Sequence, residues 1–274
     1  MSEPHQKAKI ADLKPGIFQL RSERPGSHVY LIKGLNKNVL IDTGTASNYP
    51  NLTQGLAELG LEPSQIHLII LTHEHFDHIG ACSHFFKTAV IGAHPLAANK
   101  ISLQDEFVMM AKYLDVTSQP FRADIWLHDN SVIDLGNYRM RVIHTPGHCS
   151  GCICLYEPSM KLLFTGDTVL AGGVLSGILG SGNISDYISS LQRLSSLQVD
   201  EFYPGHGRIS LTPRQDFAKA LEDSLTQLEE CKALFGAIDT KSTYERYLAA
   251  IRGQTPVRPV KEDKTQAYHG CSTS

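Results

Sequence analysis

The sequence has no uninterrupted apolar run approaching the roughly 18 residues that cross a bilayer. Its first 20 residues lack an apolar stretch behind a basic start, so no secretory leader is expected. Basic residues are not in excess: Lys and Arg total 25 against 28 for Asp and Glu, a net charge of -3. That balance leaves no electrostatic footprint for nucleic acid. Cysteine is scarce, with six in 274 residues, which is too sparse for a disulfide framework. No G-x-S-x-G elbow, dinucleotide-type glycine fingerprint or repeat period is present. Together these absences predict a cytoplasmic protein with no membrane and no nucleic-acid partner, acting on a small-molecule substrate. Two things are plentiful. Apolar residues make up 42%, enough for a sizeable core, and there are 13 histidines, several of them in tight clusters.

Residues 1–14 read as a loose lead-in. Short strands are predicted at 16–20, 28–33 and 38–41, the last running into the turn Asp42-Thr43-Gly44. Helical spacing follows over 50–59, through Leu52, Leu56 and Leu59, and then a nearly continuous apolar run at 66–71 predicts a strand buried on both faces. A helix is expected from Asp77 through Phe86, and a strand at 89–93. Residues 95–128 form an apolar insertion carrying Phe107, Met109, Met110 and Tyr113. Strands return at 138–144, 152–157 and 161–165, followed by a glycine-rich loop at 171–185, a helix at 186–196 and a short strand at 201–203. A helical stripe begins at Pro213, and a second helix is expected over 241–252. The polar tail, 253–274, reads as disordered. This mixture predicts a layered α/β domain with a helical C-terminal extension.

The chemistry concentrates in Thr72-His73-Glu74-His75-Phe76-Asp77-His78, where His73, His75, Asp77 and His78 place four ligand-type side chains in six positions. At the end of an extended strand, residues i and i+2 project the same way, so His73 and His75 can grip one ion. After the turn, Asp77 and His78 can face another. Imidazole with carboxylate suits Zn2+, with Fe or Mn as alternatives. A polar turn with Asp77 as a helix cap is the plain alternative, but burying so many unpaired ionisable groups is costly. The segment is not H-E-x-x-H, since Asp77 stands where the second histidine belongs. Three later turns each offer one further ligand at a strand end: His148 in Thr145-Pro146-Gly147-His148, Asp167 in Thr165-Gly166-Asp167-Thr168, and His206 in Tyr203-Pro204-Gly205-His206-Gly207.

In that order, the set resembles the full ligand pattern of the metallo-β-lactamase superfamily over residues 15–210. The resemblance implies an αββα sandwich with the site at one edge of its two sheets. It implies two divalent metal ions, one on His73, His75 and His148 and one on Asp77, His78 and His206, with Asp167 bridging them. Asp42 would stand behind the ligands and hold their loops. The implied reaction is cleavage of an ester-type bond, a thioester or a lactone, by a metal-bridging hydroxide. Asp77 would orient the nucleophile and pass its proton to the leaving group.

Specific subfamilies each lack a feature. The resemblance implies that true β-lactamases lack a bridging aspartate such as Asp167. Leu170 stands where the lactonases would carry a tyrosine. Val174-Leu175-Ser176 replaces the cysteine-glycine-arginine step of glyoxalase II, and Gly207 replaces its glutamate. β-Lactam or phosphodiester hydrolysis on the same site remains a second reading, and an iron-dependent oxidoreductase resembling the persulfide dioxygenases a third. The insertion 95–128 is expected to cap the site, with Phe107, Met110 and Tyr113, together with Leu170, lining a substrate pocket. Cys149-x-x-Cys152-x-Cys154 is read as small apolar filling of a strand. The helical extension, 211–252, is left open as a homodimer contact.

Overall fold

The computed structural model describes residues 9–22, 25–114 and 117–236. The first sheet runs in chain order through β1 (Ile10–Lys14), β2 (Ile17–Leu20), β3 (Val29–Lys33), β4 (Asn38–Ile41), β5 (Ile66–Ile70), β6 (Val90–Ala93) and β7 (Ile125–Trp126). Its first four strands are antiparallel and the last four mutually parallel. The second sheet is built from β8 (Val132–Asp134), β9 (Arg139–His144), β10 (Ile153–Glu157), β11 (Leu162–Gly166) and β12 (Glu201–Pro204), neighbours in that order. The helices are α1 (Tyr49–Glu58), α2 (Phe76–Ile79), α3 (Pro95–Leu103), α4 (Glu106–Met109), α5 (Ala111–Leu114), α6 (Ile184–Ser195) and α7 (Pro213–Gly236).

Strand alternation sorts the apolar residues into three cores. Leu31, Leu40 and Ile69 point outward and pack with Leu52 and Leu56 of α1 and Ala97 and Ile101 of α3. Their neighbours Tyr30, Ile32, Val39, Ile41, Leu68 and Ile70 point inward, against Met140, Val142, Leu155, Leu162 and Phe164 of the other sheet. Ile143, Cys154, Leu163 and Phe202 line that sheet's outer face beneath Tyr187, Leu191 and Leu194 of α6 and Phe217 of α7. Helix, sheet, sheet, helix is the order of layers, as the resemblance implies.

Several boundaries differ from expectation. The lead-in 1–14 contains β1, which pairs with β2 from Ile10 opposite Leu20. The helix expected over 77–86 stops after one turn. The carbonyl of His78, which would continue it, accepts instead from the backbone N–H and hydroxyl of Thr43, at 2.8 and 3.1 Å. Gly80 follows, a poor helix former. In the insertion, Met110 packs against the first core rather than standing free, while Phe107 on α4 is 81% exposed. The Tyr113 side chain lies outside the described residues. The chain divides into a compact unit ending at Leu228 and a second from Glu229, of which residues 229–236 are described. The helix expected at 241–252 and the tail 253–274 lie outside the described residues. No described helix is long and apolar enough to cross a membrane.

Candidate metal centre

The ligand turns all leave the same edge of the sandwich. Asp42 follows β4, and His73 to His78 follow β5. His148 lies between β9 and β10, while Asp167 and His206 follow the parallel strands β11 and β12. Three sets of donor atoms each fall within 4.8 Å of one another: His73, His75 and His148; His73, His78 and Asp167; and Asp77, His78 and His206. All seven predicted ligand residues are thus brought together.

The geometry around Asp167 is central. Its Oδ1 lies 3.4 Å from His78 Nε2, and its Oδ2 lies 3.6 Å from His206 Nε2 and 3.8 Å from His148 Nε2. Asp77 Oδ2 is 3.0 Å from His206 Nε2 and 3.7 Å from His78 Nε2. His148 Nε2 and His75 Nδ1 face each other at 2.9 Å. The carboxylate of Asp167 therefore stands between the groups on either side.

Outer partners fix how these rings present themselves. Asp42, in the left-handed region at φ 60°, accepts from the backbone N–H and the hydroxyl of Thr72, both at 2.7 Å. Its Oδ2 also lies 2.7 Å from His78 Nδ1. With the proton of His78 on Nδ1, the lone pair on Nε2 points at Asp77 and Asp167. His148 is oriented the same way by the carbonyl of Gly177. Gly205 is required by space: a Cβ there would come 2.5 Å from Asp167 Oδ1 and 2.6 Å from His78 Cε1.

A divalent cation fits this set. His73 Nε2, His78 Nε2 and Asp167 Oδ1 are buried with no well-formed hydrogen bond among the described residues, the last two lying 3.4 Å apart, and His75 presents Nδ1 to His148 Nε2. Each such buried atom costs about 1–3 kcal/mol, and three in one cluster of mixed imidazole and carboxylate make a cation's cradle.

The titration of the cluster follows from burial and crowding. Burial lowers His73 well below the ordinary range, helped by His78 and His75, and lowers His75, next to His148, to about 3. Burial also opposes charge on His78, but Asp77, Asp42 and Asp167 outweigh it and raise its pKa well above 6.5. Burial pushes both Asp167 and Asp77 up, and the histidines around them more than offset it, so both lie below the usual carboxylate range.

These shifts give chelated, metal-free protein a stability maximum. Below the ordinary histidine value of 6.5, His75 stays neutral when folded and takes a proton only when unfolded, as does His73, so stability falls as pH drops toward 3. His78 has the opposite sign. It is protonated in the folded state, so its stabilisation is complete below 6.5 and is lost as pH rises through its raised pKa. Urea unfolding from about pH 4 to pH 9 is expected to peak near 6.5. A steady rise across that range would contradict this account.

Glu74 went unread in the sequence. It alternates with His73 and His75 and so points away from the cluster, where its fully buried carboxylate meets Lys100 Nζ at 3.1 Å and accepts from Cys149 Sγ at 3.3 Å. Lys100 also donates to Ser150 Oγ at 2.6 Å. The pair ties the motif to α3 and to the loop after His148. Cys149 Sγ lies 3.2 Å from Cys152 Sγ, and burial pushes its thiol up, so these sulfurs sit behind the ligands as packing. His94 caps α3 and stacks on His144 with centroids 3.8 Å apart.

The sequence from 23 to 206 matches the family model of the metallo-beta-lactamase superfamily. The chain belongs to that superfamily. Among curated relatives, it is 32% identical over 220 residues to the acyl-coenzyme A thioesterase MBLAC2 of Gallus gallus, covering 71% of this chain and 78% of that one. It is 27% identical over 253 residues to the atrochrysone carboxyl ACP thioesterase of Aspergillus fumigatus, covering 88% and 72%. Among solved structures, a metallo-beta-lactamase family protein from Thermus thermophilus superposes with a TM-score of 0.69 at 26% identity, covering 81% of this chain and 84% of that one. The protein is a hydrolase of this metallo-beta-lactamase superfamily, and its His/Asp cluster suits divalent metal.

Proposed function

We propose that this superfamily member hydrolyses acyl thioesters on a dinuclear centre, with Zn2+ the ion its donors suit best. His73, His75 and His148 would hold one ion, Asp77, His78 and His206 the other, and Asp167 would stand between them. The observation that carries the reading is the single cluster of all seven side chains with buried, unpartnered atoms aimed into it. The thioesterase names of the relatives above favour a thioester over other ester-type bonds.

Bound ions would supply Lewis acidity and bring the pKa of water from about 15.7 to near 7. The chain's own residues do the rest. Asp77 is a carboxylate at neutral pH, partly open at 14% side-chain exposure, and so can orient the attacking water and carry its proton to the leaving sulfur. Asp42 and Gly177 hold His78 and His148 in one ring orientation throughout.

The acyl group is assigned to an apolar rim beside the centre. The loop after β11 is pinned to His148, whose carbonyl accepts from Leu179 N at 3.0 Å, and Gly180 of that loop abuts Val108 of α4. Ile178 and Leu179 of that loop are exposed, as is Phe107, the chain neighbour of Val108. Leu170, half-buried, bridges to Val174 at the base of the same loop.

Metal-replete protein screened against acyl thioesters, lactones, phosphodiesters and a cephalosporin is expected to turn over thioesters first. Chelation should abolish the activity and Zn2+ restore it. Long acyl chains should exceed short ones by at least about tenfold in kcat/KM, as burial of added methylenes at about 0.8 kcal/mol each allows. Thioester turnover that survives complete metal removal, or preference for another bond class, would defeat the assignment. Equal rates across chain lengths would remove the rim.

A further inference from the structure

His206 sits in a turn whose flanking carbonyls are all engaged by one distant segment. The carbonyl of Pro204 accepts from Tyr30 Oη at 2.6 Å, and that of Gly205 accepts from the backbone N–H of His28 at 2.7 Å. Beyond His206, the carbonyl of Gly207 lies 2.9 Å from His28 Nε2. The other ring nitrogen, Nδ1, accepts from the backbone N–H of Ser22 at 3.3 Å, which leaves Nε2 as the protonated donor toward Gly207. Next to it, Ser27 N donates to the carbonyl of Asp77 at 3.1 Å. The dipeptide Ser27-His28 therefore reaches both turns whose side chains meet at 3.0 Å, Asp77 and His206.

We propose that the His28 ring is a positioning residue for the His206 ligand, setting the turn that closes one half of the metal centre. The inference rests on the dinuclear reading above. The backbone bond from residue 28 to Gly205 survives any side chain. The ring adds the anchor on the far side of His206, at Gly207, which has φ 80° and open space where a Cβ would stand. Without that anchor, the nearest backbone tie beyond His206 is the Phe202–Ser210 pair, three residues past Gly207, and His206, 27% exposed, gains freedom to shift from Asp77 and Asp167.

The test is a cobalt(II) titration of chelated full-length wild type, His28→Ala and His28→Gln, read by stoichiometry and visible absorption, with thermal melts alongside. In His28→Ala, one of the two binding steps should weaken by about tenfold or more with a changed spectrum, the usual scale for an outer partner of a metal ligand. The other step should match wild type. His28→Gln, whose amide keeps a donor in place of Nε2–H, should restore the weakened step. Wild-type uptake by His28→Ala overturns the inference. So does equal weakening of both steps in both variants with a lowered Tm, which marks general packing. Wild type that binds no cobalt at all defeats the dinuclear reading itself, a different result from an unaffected His28→Ala.

Discussion

Asp77→Asn is expected to lower kcat by roughly 10²–10⁴ with both metals retained, the range a positioned proton-transfer group contributes. The amide keeps the size of the side chain and one oxygen toward the cluster, but it cannot take a proton. Asp77 is suited to that task by its place. It lies in the first turn of α2, its Oδ2 meets His206 Nε2 at 3.0 Å, and it is more exposed than its neighbour His78. Burial alone would raise its pKa, and His78 with His206 reverses the shift, so the charged form stands ready at neutral pH. Metal analysis beside steady-state kinetics checks the claim. Near-wild-type turnover with full metal content would show that Asp77 only ligates.

Removing the Asp42 carboxylate should have the second largest effect, through a residue that touches no substrate. One carboxylate accepts from Thr72 N, from Thr72 Oγ1 and from His78 Nδ1, each at 2.7 Å. In Asp42→Asn an amide N–H2 group must face either the Thr72 hydroxyl and His78 or the Thr72 amide. In the first orientation His78 Nδ1 must accept, which puts its proton on Nε2, the nitrogen aimed at the cluster; in the second, the Thr72 amide meets a donor instead of an acceptor. Metal affinity should fall by about 10–100-fold. Asp42→Ala should be worse, since it also strands three donors and puts alanine at φ 60°. Breaking such a buried charged contact costs about 3–5 kcal/mol. Competition with a chromophoric chelator gives the affinity and urea denaturation the stability. Wild-type affinity in Asp42→Asn would mean that Thr72 alone fixes the rings.

The side chains that gather at the candidate site were legible in the sequence because histidines and aspartates at the ends of strands announce themselves. His73, His75, Asp77 and His78 crowd one segment, and Asp42, His148, Asp167 and His206 each follow a readable strand. The inner strands were legible too, since burial on both faces leaves continuous apolar runs such as 68–71. The edges were not. β1 is half-buried and carries Asp12 and Lys14, and β7 has two residues, so pairing with a neighbour defines them rather than any periodicity. Partnerships that go through the backbone were equally silent. Any residue has a carbonyl like that of Gly205 or Gly207, so nothing at 205–207 points to His28, far earlier in the chain. Glu74 had a signal that went unused: flanked by two inward residues of an extended segment, it had to face outward and, once buried, needed a cation such as Lys100.

The cradle is split between the two sheets. His73, His75, Asp77 and His78 hang from β5 in the first, while His148, Asp167 and His206 hang from the second. A cation held by both would act as a rivet through the sandwich. On the ligand assignment proposed above, the full donor set would be complete only once β12 had been made and docked, so complete loading would be a late checkpoint on assembly. Slippage of one sheet against the other would then loosen the grip on metal as well.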